Sequence, residues 1–80
     1  MHPVNTPKQI GTNLSARRKH LGLSQTAVAS RLGLSQNRLS ELESHPETLT
    51  VEQLLGLLNV LGLEMGLREK DVNGKTKAEW

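Results

Sequence analysis

The sequence predicts an all-α domain of four to five short helices, followed by one short strand and a flexible tail, and three observations carry that expectation. Serine or threonine repeatedly stands just ahead of a stretch in which apolar residues recur at helical spacing. Glycine, or the pair His45-Pro46, stands just after each such stretch. Alternation of apolar and polar residues, the period of a half-buried strand, appears after the last helix, in residues 63 to 68.

Thr6-Pro7-Lys8-Gln9 opens the first helix: a hydroxyl at the N-cap, proline where a missing N–H is harmless, and glutamine placed to close a capping box. Ile10, Leu14 and Leu21 share a face, basic residues crowd the last turn where they suit the dipole, and Gly22 terminates, giving a helix over residues 7 to 20. Ser24 caps a second helix over residues 25 to 32, stopped by Gly33, and Ser35 caps a third over residues 36 to 44, stopped by His45-Pro46. Thr50-Val51-Glu52-Gln53 is a second capping box, and Leu54, Leu55, Leu57, Leu58 and Leu61 make the helix that follows the most hydrophobic element, ending at Gly62. In Leu63-Glu64-Met65-Gly66-Leu67-Arg68 the period changes from that of a helix to that of a strand. From Glu69 onward the chain is too polar to order itself and reads as a tail ending in Trp80.

Eighty residues make one domain, and a domain of this size buries only about 60% of its unfolded surface, so help from a partner subunit is in character. With no Phe, no Tyr and a single Trp, the core has to be aliphatic. Charge is unevenly placed. Residues 1 to 40 hold six cations (Lys8, Arg17, Arg18, Lys19, Arg31 and Arg38) and no acid, whereas all eight acids fall in residues 41 to 80. The first half is suited to a polyanion. Absence of cysteine removes disulfides and thiolate metal sites. No apolar run approaches the ~18 residues of a membrane span, and Met-His-Pro-Val-Asn-Thr-Pro lacks a signal-peptide plan, so a cytoplasmic protein is expected. His2, His20 and His45 share no metal-ligand spacing, and no nucleophile-base pair or phosphate loop is visible; no cofactor and no enzyme activity are expected.

Between Gln25 and Ser44, Ala29 is small where two helices would cross, and Gly33 stands where the turn needs positive φ. Val28, Leu32, Leu34, Leu39 and Leu42 occupy the positions that would lock this pair to the first and fourth helices. In full, Leu-Ser-Gln-Thr-Ala-Val-Ala-Ser-Arg-Leu-Gly-Leu-Ser-Gln-Asn-Arg-Leu-Ser-Glu-Leu-Glu resembles the helix-turn-helix of the Cro/C1-type, or XRE, repressor family. That resemblance implies a lambda-repressor-like DNA-binding domain over residues 1 to 62, with the motif at residues 25 to 44.

In such a motif the third helix enters the major groove with its N-terminal residues at the base edges, here Gln36, Asn37, Arg38 and Ser40. Gln or Asn can pair with adenine N6 and N7, and Arg with guanine O6 and N7. Gln25 matches a family position that bonds DNA phosphate; Ser24 and Ser35 can assist while capping, and Arg17, Arg18, Lys19 and Arg31 can neutralise flanking phosphates. Glu41 and Glu43 are placed away from the phosphates, with Glu43 structural.

A lone strand is unstable in water, so residues 63 to 68 are expected to pair with the same strand of a second chain through Leu63, Met65 and Leu67, giving a homodimer whose two-fold matches a palindromic operator. The alternative is that these three side chains fold back on the fourth helix. Within the family the chain most resembles HipB-type antitoxins: a four-helix body, an apolar strand after Leu61-Gly62-Leu63, a polar tail over residues 69 to 80, and an ending in Glu79-Trp80. This implies autorepression and binding of a HipA-type serine/threonine kinase toxin, with Trp80 as an anchor. A stand-alone repressor, a restriction controller, and a protein-interaction adaptor without DNA binding are the competing readings.

Overall fold

A computed structural model describes residues 3–70. Four α-helices, α1 (Pro7–His20), α2 (Gln25–Arg31), α3 (Gln36–Ser44) and α4 (Val51–Val60), are joined by tight turns, with a single 3-10 turn at Pro46–Thr48 before α4.

Each helix starts where its capping residue stands. The Thr6 and Thr50 hydroxyls accept the backbone N–H of Gln9 and Gln53, whose side chains accept the cap N–H in return. Ser24 and Ser35 accept from the N–H of Ala27 and Arg38 at 3.0 and 3.1 Å.

Three of the four helices stop in the same way, at a Leu-Gly-Leu tripeptide. Gly22, Gly33 and Gly62 all sit at positive φ, near 70° (71, 68 and 69°), a conformation that costs glycine nothing. The leucine after each glycine returns its N–H to a carbonyl five residues back: Leu23 to Arg18, Leu34 to Ala29 and Leu63 to Leu58. This closes the Schellman motif, and each of these leucines packs against the core. Leu32 is thereby the cap of α2 and not its last residue, one position short of the sequence reading.

Leu14, Val28, Ala29, Leu39, Leu57 and Leu61 form the centre of the core, with Leu42 also buried, and half-buried Ile10, Leu32, Leu34, Leu49 and Leu54 surround them. α3 packs on both α1 and α2, and α4 on α2. At the α1–α3 crossing Gly11 lies against the Glu43 carbonyl and the Pro46 ring, so close that a Cβ there would collide with both.

Beyond Gly62, residues 63 to 70 form neither helix nor strand. A strand exists through its ladder, and the described residues include no second strand for residues 63 to 68 to pair with. Leu63 packs against the core, but Met65 and Leu67 are 49% and 96% exposed, so they do not fold back on α4. Among the described residues no helix is long and apolar enough to cross a membrane. The tail beyond Lys70, including Trp80, lies outside the described residues.

Candidate nucleic-acid interface

α3 has two chemically different faces because its inward residues recur at helical spacing. Leu39 and Leu42 are fully buried, while Asn37 on the opposite face and Gln36 at the first position of the helix are both exposed, with Ser40 half-buried one turn on from Gln36. The serine cap at residue 35 and the Gly33 turn hold the N-terminal end of α3 at the surface beside the start of α2.

Gln25, the first residue of α2, and Gln36, the first of α3, meet there: the Gln36 Nε2 donates to Gln25 Oε1 at 2.6 Å. Gln25 in turn donates from Nε2 to Glu43 Oε1 at 3.0 Å. Arg18 completes the row from α1, donating from Nε to Glu43 Oε2 at 2.7 Å and from Nη2 to Oε1 at 3.2 Å. Its Nη1 donates to the Leu23 carbonyl at 3.0 Å. A line of polar side chains therefore runs from a buried ion pair to the exposed tip of α3.

This placement corrects one sequence expectation. Arg18 is only 8% exposed and its guanidinium is committed to Glu43 and Leu23, so it is not a phosphate contact. The reason is helical geometry: Gly11, Leu14 and Arg18 form the buried stripe of α1. Arg17, about 100° around the helix, turns elsewhere and donates from Nε to the Leu61 carbonyl at 2.9 Å, satisfying the end of α4. Lys19 points to solvent, as does Arg31 at the end of α2, and neither forms an ion pair among the described residues. Arg38 is half-buried, and its Nη1 lies 3.5 Å from Glu41 Oε1 on an exposed face, a pairing too loose to hold it against a competing ligand.

Gln25, Gln36, Ser24, Ser35, Asn37 and Ser40 thus gather at the paired N-terminal ends of α2 and α3. Sequence reasoning placed Glu43 in a structural role but missed its partner. The signal was present: Glu43 follows Leu39 by four residues, which puts its carboxylate on the buried face, where a cation has to meet it.

Two short helices packed on each other, joined by a glycine turn and leaving the N-terminal end of the second exposed, define a helix-turn-helix DNA-binding domain. The family model described as Helix-turn-helix (HTH_3) matches residues 14–67, and the chain belongs to that family, of the Cro/C1 type. Its members are regulatory DNA-binding proteins. Solved structures of HipB are similar. A HipA–HipB–O2–O3 complex matches with a TM-score of 0.80 and 25% identity, covering 86% of this chain and 97% of that one. A HipB–O1–O2 complex matches with a TM-score of 0.79 at the same identity, covering 86% and 100%. A structure described as "MDT Protein" has the same TM-score as the first, 0.80, over 86% and 97% of the two chains at 25% identity. No curated protein matches the sequence.

Proposed function

We propose that this protein is a sequence-specific transcriptional repressor that binds palindromic operator DNA as a homodimer, and that it is the antitoxin of a HipBA-type module. The observation that carries the DNA reading is α3, with Leu39 and Leu42 buried and Gln36 and Asn37 exposed at its outer end, in a family of DNA-binding regulators. In this reading Gln36, Asn37, Arg38 and Ser40 meet base edges, and Ser24, Gln25, Ser35, Lys19 and Arg31 meet phosphates. Arg17 contributes through whatever its Nη groups reach beyond Leu61, and Arg18 drops out. The protein binds and does not catalyse, and it acts in the cytoplasm, where its DNA is.

One such helix spans only a few base pairs, so two must be placed about 34–36 Å apart on the duplex. Residues 63 to 68 are the segment we assign to that task, because Met65 and Leu67 are exposed apolar side chains, at 49% and 96%. The toxin assignment is supported by the likeness to HipB in a complex with HipA. Trp80, outside the described residues, would serve that contact as a large amphipathic anchor on a polar tether.

Binding of the purified protein to the DNA upstream of its own gene and to a scrambled duplex, from low to high salt, tests the first reading. Specific binding at two chains per site, with log affinity falling by about 0.9 per phosphate contact per log unit of salt, is expected. Equal, weak binding to both duplexes would favour the adaptor. Co-purification with a kinase encoded beside it, lost in a chain ending before Trp80, tests the second.

A further inference from the structure

Glu43 does not reach the exposed face of α3, yet the hydrogen bonds leading out from it determine which way the amide of Gln36 points. An ionised carboxylate only accepts hydrogen bonds. Arg18 fixes that carboxylate through two contacts, at 2.7 and 3.2 Å, in a place where the two side chains are 9% and 10% exposed. Gln25 can therefore face Glu43 only with its NH₂ group, as the 3.0 Å contact shows. Its carbonyl oxygen is then turned outward, and an outward acceptor admits only the NH₂ end of Gln36, which arrives at 2.6 Å. Two amides, each free to flip in isolation, are thus oriented in series by one buried charge.

The consequence lies at the free side of Gln36. Its Oε1 accepts no hydrogen bond among the described residues and stands beside the second N–H of Nε2. An acceptor next to a donor matches the major-groove edge of adenine, which offers the N6 donor and the N7 acceptor; guanine offers two acceptors and would set O6 against Oε1. We propose that Glu43 is a positioning residue for base readout, acting through Gln25 to hold Gln36 in the amide orientation that selects adenine over guanine. The proposal rests on Gln36 reading a base, as argued above.

The test uses the full chain and a pool of duplexes randomised over about 20 base pairs, enough for two half-sites one helical turn apart, sequenced after binding. Circular dichroism melts establish that each variant is folded. The wild-type protein favours adenine over guanine at one position of each half-site by about 5- to 150-fold, the worth of one bidentate pair. Gln36→Ala abolishes that preference. Glu43→Gln, whose amide can offer Gln25 a donor, brings the ratio at that position toward parity and leaves the other positions unchanged. Gln25→Met does the same while sparing the Arg18–Glu43 pair, so it serves even if Glu43→Gln does not fold. Loss of a phosphate contact by Gln25 would lower affinity for all sequences alike and leave the ratio intact.

If Gln36→Ala removes the preference while Gln25→Met keeps it at the wild-type level, Gln36 orients itself and the proposal is overturned, with its reading role standing. A wild-type preference for guanine at that position overturns the assigned polarity. If the wild type selects no base, or Gln36→Ala changes no position, both the proposal and the reading role fail.

Discussion

The Arg18 guanidinium of α1 grips the Glu43 carboxylate of α3 through two hydrogen bonds, 2.7 and 3.2 Å long, and both side chains are about nine-tenths buried. A pair withdrawn from water this far gains little over an apolar pair, but it becomes costly when one member is removed, because the other is left charged and unpartnered.

Glu43→Ala therefore lowers stability by about 3–5 kcal/mol, and Arg18→Met combined with Glu43→Leu recovers most of that loss. Urea unfolding of the two variants measures both effects. A single-variant cost of about 0.5 kcal/mol, typical of a surface site, would mean that the pair is open to water.

Leu39 is completely buried in the core cluster with Leu14, Val28, Ala29, Leu57 and Leu61. Leu39→Ala leaves a cavity and costs about 2–5 kcal/mol, read from the shift in thermal or urea unfolding.

At Gly11, α1 lies against the end of α3, with the Glu43 carbonyl and the Pro46 ring beside it. Alanine in a helix normally gains about 1 kcal/mol over glycine, whereas forcing a methyl into a packed backbone contact costs about 1–3 kcal/mol. The contact here is with main chain, which cannot swing away, so Gly11→Ala gives a net loss. A raised melting temperature would show that the crossing has room to spare.

Met65 and Leu67 stand uncovered beyond the last helix, and removing residues 63 to 80 deletes the segment assigned to pairing. The truncated chain is expected to fold, to sediment as a monomer and to bind DNA poorly. A truncated chain that still sediments as a dimer would move the interface elsewhere, with the exposed Val51 and Leu55 of α4 the next surface to mutate.

The helices were legible because their signals are local. Thr6, Ser24, Ser35 and Thr50 cap the helices they precede, and glycine within a Leu-Gly-Leu tripeptide ends three of them. Packing of Val28, Ala29, Leu39 and Leu42 followed from spacing alone. The basic run was not legible in the same way. Arg17, Arg18 and Lys19 are equivalent in composition, yet steps of about 100° send them to the end of α4, to Glu43 and to solvent. Which neighbour each one meets is decided by how the helices cross, not by the run itself. The Gln25–Gln36 contact joins residues eleven apart across a turn and depends on the same crossing. The segment over residues 63 to 68 has strand periodicity, but whether it pairs depends on a second chain.

In the proposed function α3 reads DNA through its exposed N-terminal end, and a comparison of wild type with Gln36→Ala on the DNA upstream of the gene and on a scrambled duplex, at one fixed salt concentration, tests this. Gln36 takes no part in the core, so the variant should melt as the wild type does, lose specific affinity by about 1–3 kcal/mol and keep its weak binding to the scrambled duplex. A folded Gln36→Ala protein that binds the upstream DNA as tightly as wild type would contradict it.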